Sequence, residues 1–308
     1  MSKMEIVFLI NKYKYHLVLH FTILIWGFTG IIGKTLTISG LSSNDIVFWR
    51  MLIAWVALLI YLFSKKENLK ISRTTLLKFF GNGGLIALHW YFFFEAIALS
   101  NVSVALVFMS TTAFFTSFAE WIIYKKSINY KELITGLLVI IGITIIVNDL
   151  DYTAHPHYIK AVIFAVISSF LAAFFSVINS VLVKENKSAV ISFYELFFGF
   201  CIISSIFLLN KTIIISDLSL TIEQLFWLLM LGVICTSFAF ILGVYVMKYI
   251  PAYTVNLSVN LEPIYAIIFA LLIFKNTELM NLNFYIGSLI VVGSILLNAL
   301  FKKTKKAT

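Results

Sequence analysis

Ten apolar windows, each close to twenty residues long, follow one another along this chain of 308 residues. A helix of about 20 apolar residues spans the hydrocarbon core of a bilayer. Charged or turn-forming residues separate the windows, and the connections between them are short. The pattern predicts transmembrane helices at residues 15–38, 44–63, 76–98, 101–124, 131–149, 157–183, 188–209, 222–247, 251–274 and 281–301.

The composition excludes a water-soluble domain. Hydrophobic residues make up 61% of the chain and charged residues 12%, whereas soluble domains contain about 25% charged residues. Cys201 and Cys235 lie in separate apolar windows, without a partner at metal-ligand spacing, and are interpreted as small core residues. We therefore expect an all-α, polytopic membrane protein with no cofactor and no metal site.

The basic residues are unevenly distributed between the two sides of the membrane. If the chain begins inside, 18 of the 23 lysines and arginines lie in inner segments, including the basic tail at 302–308. Four lie in outer segments, and Arg50 falls within the second window. The positive-inside rule then places both termini in the cytoplasm, which requires an even number of helices. This explains the net charge of +9 without nucleic-acid binding.

The sequence indicates an internal repeat. A shift of 151 positions places Gly142 on Gly293, and a shift of 145 places Arg50 opposite Glu195. Each half holds five windows, an odd number, so the second half enters the membrane from the opposite side. Chance alignment of Leu-, Ile- and Phe-rich helices is the alternative explanation. The two predicted five-helix repeats cover residues 15–149 and 157–301.

Short motifs follow one another in a fixed order: Trp26-Gly27, Arg50, His89-Trp90-Tyr91, Asn101-Val102-Ser103, Leu261-Glu262-Pro263, Glu278 and Gly287. In this order they resemble the EamA-type carriers of the drug/metabolite transporter superfamily, over nearly the whole chain. The resemblance implies a ten-helix fold with a central cavity, and export or uptake of amino acids and related metabolites. The chain departs from the family pattern where Thr111-Thr112 replaces a proline and where Ser127 replaces a glutamate.

The strongest site signal is Glu262-Pro263, near the middle of the ninth window. A charged side chain at that depth costs about 2.5–3.5 kcal/mol and is usually held in a polar cavity. Pro263 frees a backbone carbonyl one turn earlier. Asn256 and Asn260 share its helix face, and Tyr265 shares the neighbouring face with Glu262. These residues predict a substrate-binding surface, with polar contacts between helices as the alternative.

Further candidates for substrate binding or proton coupling lie in the first, third and fourth windows. His89 and Glu95 point about 120° apart on an ideal helix, yet both can border one cavity. A buried neutral histidine satisfied by a neighbour is the alternative for His89. A threonine hydroxyl can bond a carbonyl one turn back and bend its helix, as a proline would. The candidates are Trp26, His89, Trp90, Glu95, Thr111 and Thr112.

Arg50 and Glu195 are candidates for a different role. They occupy equivalent repeat positions toward opposite membrane faces, where each can gate or anchor its side. The simpler explanation is that both side chains extend to the membrane interface, as long charged side chains near helix ends do.

These features favour a secondary transporter that moves small metabolites by alternating access. Its expected partners are the substrate and the bilayer of a bacterial plasma membrane, and the expected state is a monomer or a homodimer. Proton coupling through Glu95, Glu262 or His89 is a further hypothesis. The alternatives are an intramembrane enzyme or a non-transport membrane protein, but HExxH, GxSxG and GxxxxGK[ST] motifs are absent.

Overall fold

The computed structural model describes residues 3–125, 130–149, 156–210, 219–259, 261–275 and 279–304. Within these ranges every regular element is a helix. In chain order the helices are α1 (Lys3–Ile38), α2 (Ser43–Ser64), α3 (Arg73–Leu99), α4 (Val102–Met109), α5 (Thr112–Tyr124), α6 (Tyr130–Asp149), α7 (Tyr158–Leu182), α8 (Ser188–Leu209), α9 (Ile222–Leu229), the π-helix π1 (Met230–Phe238), α10 (Ala239–Val246), α11 (Ala252–Val259), α12 (Leu261–Phe274) and α13 (Leu282–Thr304).

Short polar side chains set where several helices begin. Ser42, Ser72, Asn101 and Thr221 precede α2, α3, α4 and α9, and each accepts a hydrogen bond from a backbone amide in the first turn. These amides have no partner within the helix, so a side-chain oxygen satisfies them. The polar residues between the apolar windows therefore fix the helix ends as well as separating the windows.

Seven helical stretches in the described residues are long and apolar enough to cross a membrane. They are 13–38, 43–64, 102–124, 158–182, 188–209, 222–246 and 252–274, and each coincides with a predicted window. The expectation of an all-α, polytopic membrane protein is confirmed. Helices α3, α6 and α13 occupy the other three windows but are not among these seven stretches, so the number ten remains a prediction.

The helix of the fourth window is interrupted where two threonines replace the proline of the family pattern. Helix α4 ends at Met109 and α5 begins at Thr112. The hydroxyls of Thr111 and Thr112 donate to the carbonyls of Phe108 and Met109, each at 2.7 Å. Hydroxyls bonded in this way compete with the backbone bonds of the helix, which bends or breaks it.

The π-helix π1 lies in the middle of the eighth window, and the sequence pattern does not reveal it. The hydroxyls of Thr236 and Ser237 donate to carbonyls five residues earlier, on Leu231 at 2.7 Å and Gly232 at 2.9 Å. The Ser237 hydroxyl also lies 2.9 Å from the carbonyl oxygen of Ala54 on α2. Since π segments are rare and often accompany functional sites, this segment helps to locate the site.

The helices of the two halves pack against one another around a common centre. Helix α3 contacts α7 and α8, helix α2 contacts α8 and π1, and helix α1 contacts α10 and α12. Arg50 and Glu195 lie inside this bundle, with 2% and 0% of their surfaces exposed. The explanation that both side chains extend to the membrane interface is therefore wrong, because tight contacts between helices enclose them.

Candidate functional site

A central cavity lies between the two halves. It holds about 950 Å³ of empty space, including its open mouth, and its walls come from α1–α5, α7, π1 and α10–α12. Apolar and aromatic side chains form most of the wall, and a few polar groups interrupt it, which is typical of small-molecule sites. Seven sequence-predicted candidates line this cavity: Trp26, Arg50, His89, Trp90, Thr112, Asn256 and Glu262.

Arg50 is the most exceptional of these residues. Its Nε donates a 2.7 Å hydrogen bond to the Thr236 hydroxyl. Its Cζ lies 3.9 Å from the centre of the Trp90 ring and 5.5 Å from that of Phe94, so two aromatic faces stabilise the cation. Its Nη1 is buried and has no hydrogen-bond partner among the described residues. A buried donor without a partner is destabilising, and this guanidinium lines a cavity where a ligand can supply the acceptor.

Glu262 lines the same cavity and, when ionised, carries the opposite charge. Its side chain is half-buried and interacts electrostatically with Arg50. The carbonyl oxygen of Glu262 lies close to Gly27 of α1, which brings the start of α12 against α1. The cavity therefore presents an anion and a cation to one enclosed space, so a small molecule with both charges would find a partner for each.

The environment of His89 determines which ring nitrogen carries its proton. Nδ1 lies 3.0 Å from the carbonyl oxygen of Ser168 and 2.8 Å from the Ser168 hydroxyl. The carbonyl can only accept, so the tautomer with its hydrogen on Nδ1 is the one that satisfies it. The Ser168 hydroxyl donates to the carbonyl oxygen of His89 at 2.8 Å, which locks α3 to α7. In the neutral ring Nε2 then remains an acceptor, and a second positive charge on His89 would be repelled by nearby Arg50.

Asn256 joins three helices at the wall of the cavity. Its Oδ1 accepts from the Ser176 hydroxyl at 2.9 Å, and its Nδ2 donates to the Thr116 hydroxyl at 2.8 Å. The Thr116 hydroxyl donates in turn to the carbonyl of Thr112 at 2.7 Å. Helices α5, α7 and α11 are thus held together by buried polar groups beside the α4–α5 interruption.

The remaining candidates lie away from the described cavity wall. Thr111 shares a 2.7 Å hydrogen bond with Ser169 of α7, Tyr265 packs on Gly27, and Glu95 is half-buried beside Tyr91. Glu195 is enclosed between α3 and α7 and is described below. Asn260 lies outside the described residues, and so does the side chain of Pro263 in the first turn of α12.

Several residues of the site were not predicted from the sequence. Thr236 holds Arg50, Ser168 holds His89, and Ser176, Asn179 and Cys235 line the cavity. Single hydroxyls, amides and thiols are common in transmembrane helices, so composition does not distinguish these residues from others. Asn179 carried the clearest available signal, because it is an amide in the interior of a strongly apolar window.

Glu195 forms a second polar cluster next to the cavity. Its Oε1 accepts from Asn82 Nδ2 at 2.7 Å, and its Oε2 accepts from Asn179 Nδ2 at 3.1 Å. Asn82 lies on α3 and Asn179 on α7, so the cluster joins three helices. Asn179 also lines the cavity and is therefore the bridge between the two sites. In the described part of the chain, His, Cys, Asp and Glu form no group able to hold a metal ion.

These observations define a polytopic helical membrane protein with an enclosed polar cavity between its helices. The sequence profile of the EamA-like transporter family matches residues 14–148 and, a second time, residues 159–300. The chain belongs to this family, and the resemblance seen in its motifs is confirmed. It is accordingly a multi-pass membrane transporter rather than an enzyme, and its partners are a small-molecule substrate and the lipid bilayer.

Two further comparisons agree with this assignment. An uncharacterized transporter of Archaeoglobus fulgidus is 24% identical over 291 residues, which cover 92% of this chain and 96% of the relative. A crystal structure of a protein superposes with a TM-score of 0.68 at 13% identity, over 94% of this chain and 98% of the other. At that identity the second comparison supports the fold alone.

Proposed function

We propose that the protein is a secondary transporter that moves amino acids or closely related metabolites across a bacterial plasma membrane by alternating access. The substrate binds in the central cavity between two inverted five-helix repeats, and rocking of the repeats exposes it to one side at a time. The two separate matches to the family profile support the repeats. The lysine distribution supports ten spans with both termini in the cytoplasm.

The observation that carries this proposal is the presence of Arg50 and Glu262, side chains of opposite charge type, in the wall of one cavity. We assign the substrate carboxylate to Arg50, whose Nη1 has a hydrogen bond to give, and the substrate ammonium to Glu262. Trp26, Trp90 and Phe93 line the space between and beside them and would contact the substrate side chain. Charged hydrogen bonds of this kind are strong in an enclosed, low-dielectric site.

Counterflow in proteoliposomes tests the proposal directly. Vesicles containing the full chain are loaded with an unlabelled amino acid, and entry of the labelled amino acid is followed at equal pH on both sides. Competition is then measured with a panel of matched triples: an amino acid, the amine that lacks its carboxylate, and the acid that lacks its ammonium. We expect saturable exchange, with the amino acid as the strongest competitor in its triple.

Two variants assign the charged partners. Arg50→Gln should abolish the advantage of the amino acid over its amine, and Glu262→Gln should abolish its advantage over the desamino acid. Each advantage should be about 100-fold in wild type, because a buried charged pair contributes about 3 kcal/mol. Absence of saturable exchange for every amino acid and every analogue would contradict transport of this class, and equal loss for all three members of a triple would contradict the assigned contacts.

Cys235 offers a binding assay that does not require transport. Its thiol lies in the cavity wall, whereas Cys201 lies elsewhere on α8. In a Cys201→Ser background, a small maleimide should react with Cys235 more slowly when the transported amino acid is present. Protection should disappear in the Arg50→Gln variant. Unchanged labelling at saturating substrate would contradict binding in this cavity.

A further inference from the structure

We propose that Glu195, held between Asn82 and Asn179 beside the cavity, is a proton-binding site that couples transport to the pH difference across the membrane. The inference rests on the transport function proposed above and adds its energy source. The first support is position. Glu195 lies in a helix apolar enough to span a membrane and has 0% of its surface exposed. A charge at such a place is expensive and usually serves a function.

The second support is the lack of a counter-charge. Among the described residues, the partners of the Glu195 carboxylate are the amides of Asn82 and Asn179, and no cation contacts it. A buried carboxylate without an opposite charge can lower its desolvation cost by taking up a proton, because the neutral acid needs no counter-ion. Glu262 differs in this respect, because Arg50 lines the same cavity and interacts with it electrostatically.

The charged and titratable side chains on the helices packed around Glu195 are engaged elsewhere. On α2, Arg50 bonds Thr236 and lies on Trp90. On α3, Lys78 is exposed and His89 bonds Ser168. Tyr245 on α10 contacts Tyr15 and Tyr249, Tyr194 on α8 donates to the Leu69 carbonyl, and Lys184 beyond α7 lies over the Tyr124 ring. The remaining groups of this kind are Asp45, which bonds Ser42, and the exposed Tyr61 on α2; the exposed Arg73 and the neighbours Tyr91 and Glu95 on α3; Tyr158 and Lys160 in the first turn of α7; and the half-buried Cys201 on α8.

The third support is a mismatch of donors and acceptors within the cluster. Asn82 Nδ2 has two hydrogens but lies within 3.3 Å of three acceptors, on Phe175, Asn179 and Glu195. Asn82 Oδ1 is buried and has no donor among the described residues. The cluster therefore has more acceptors than hydrogens. One proton on Glu195 supplies the missing hydrogen, and rotation of the Asn82 amide can bring Oδ1 round to accept it.

The fourth support is the connection to the substrate. Asn179 donates to Glu195 Oε2 and also lines the cavity. A proton from water that binds Oε1 changes this oxygen from an acceptor to a donor toward the rotated Asn82 amide. That rotation removes the 3.2 Å contact of Asn82 Nδ2 with Asn179 Oδ1, so Asn179 must reorient within the cavity wall. The same amide thus senses the proton on one side and the substrate on the other. Such coupling is reciprocal, because each ligand changes the affinity for the other by the same factor.

Close packing explains why Glu195 can be sealed so completely. A Cβ added at Gly83 of α3 would meet the carbonyl oxygen of Glu195, and one added at Gly199 of α8 would lie 2.6 Å from the carbonyl oxygen of Gly83. The two backbones touch at this point, as small residues allow in membrane helices. The backbone at Glu195 is therefore sealed against α3, and the hydrogen bond to Asn179 is what links its carboxylate to the cavity wall.

The test compares Glu195→Gln with a matched control in proteoliposomes. Glutamine keeps the shape and the hydrogen bonds of the protonated acid but cannot release a proton. The control is Glu120→Gln, which removes another buried glutamate, on α5 and 5% exposed. Counterflow at equal pH and net flux under an imposed pH gradient are measured for each protein, with the gradient applied in both directions.

We expect the gradient to accelerate net flux of the wild type and of Glu120→Gln about tenfold in one of its two directions. Glu195→Gln should keep counterflow within about twofold of wild type and should lose the response to the gradient entirely. A variant that still responds as wild type would overturn the proposal. So would a wild type that exchanges substrate but ignores the gradient, an outcome that leaves the proposed function intact.

A wild type that exchanges no amino acid at all contradicts the proposed function, and the proton site is then tested without transport. Infrared spectra of the purified protein, recorded over a pH series, show the carbonyl stretch of a protonated carboxylic acid. Wild type should show a titrating band that Glu195→Asp shifts and that Glu262→Gln retains. If Glu195→Gln fails to fold, the same spectra of wild type and Glu195→Asp still test whether Glu195 binds a proton. A band absent at every pH, or identical in Glu195→Asp, would overturn the proposal.

Discussion

Arg50 and Glu195 occupy the same place in their helices but have opposite surroundings. Each is the eighth residue of its helix, α2 and α8 respectively, and both are fully enclosed. Arg50 reaches a cavity and retains a nitrogen without a hydrogen-bond partner in the described part of the chain. Glu195 has both carboxylate oxygens bonded by asparagine amides.

The neighbouring helix decides this difference. Helix α2 packs on π1, where Thr236 offers Arg50 one acceptor and the Trp90 ring supplies a surface rather than hydrogen bonds. Helix α8 packs on α3 through glycines that bring the backbones into contact, so no space remains beside Glu195. A buried charge with a spare donor facing a cavity can bind a ligand. A sealed charge with neutral partners can exchange only a proton.

The most damaging single change should be at Arg50. Arg50→Gln removes the positive charge and the donors, so we expect transport efficiency, measured as kcat/KM in proteoliposomes, to fall about 100-fold or more. Arg50→Lys keeps the charge but loses the planar fork that reaches Thr236, Trp90 and the ligand together, and should recover less than a tenth of wild-type activity.

Both variants must still be folded for this result to have meaning, which size-exclusion profiles and thermal unfolding in detergent would establish. Full activity of Arg50→Lys would show that a positive charge alone suffices. In that case Arg50 and Glu195 would differ in function because their charges have opposite signs, and not because Arg50 has a hydrogen-bond donor left for a ligand.

The packing around Glu195 should be disturbed most by a substitution that pushes α3 and α8 apart. In Gly83→Ala the new methyl group meets the carbonyl oxygen of Glu195, whereas Gly81 has no atom within 4 Å of an added Cβ. Overpacking of this kind costs about 1–3 kcal/mol. We expect Gly83→Ala to lower Tm by several degrees, and Gly81→Ala on the same helix to leave it unchanged or slightly higher. Equal Tm values for the two variants would show that α3 and α8 can separate without loss.

Sequence reasoning located the depth of the charged residues better than their surroundings. The apolar windows placed Arg50 and Glu262 inside the membrane, and self-comparison paired Arg50 with Glu195. Rotation about the helix axis decides whether a side chain faces lipid, cavity or another helix. That rotation depends on which helices are neighbours, and the sequence of one helix does not identify them. Extension to the membrane interface was therefore the simpler explanation for Arg50 and Glu195, although both are buried.

The partners of the charged residues could not be predicted for a different reason. Thr236 meets Arg50 across 186 positions of sequence, and Asn82 meets Glu195 across 113. No local pattern encodes contacts at such separations. The π-helix is equally hidden, because the hydroxyls of Thr236 and Ser237, which donate to carbonyls five residues earlier, belong to residue types that are ordinary in apolar helices. The threonine pair at 111–112 was the exception, because side chains bonding within one turn act locally.

A smaller effect should follow from loosening Arg50 while keeping its charge. Thr236→Val preserves the shape of the side chain but removes the acceptor for Arg50 Nε. A hydrogen bond to a charged group contributes about 1.5 kcal/mol, so KM should rise about tenfold while Tm changes little. Ser237→Ala is the control, because this hydroxyl makes the same kind of π-helix bond and also reaches Ala54, away from Arg50. A similar rise in KM for both variants would attribute the effect to π1 as a whole.

The smallest expected effect concerns the α4–α5 interruption, which lines the same cavity as Arg50 through Thr112. Thr111→Val removes the hydroxyl that bonds Phe108 and Ser169, and Thr112→Val removes the one that bonds Met109. Hydroxyl bonds in membrane helices average about 0.6 kcal/mol, which corresponds to about threefold in rate. If the interruption lets the helix bend during alternation, each change should lower kcat about threefold and leave KM unaltered.

Thr144→Val on α6, whose exposed hydroxyl bonds Ile140 one turn back, should alter neither value. A rise in KM without a fall in kcat would instead place the threonines in substrate binding, and the cavity would then contain a second group besides Arg50 that contacts the ligand.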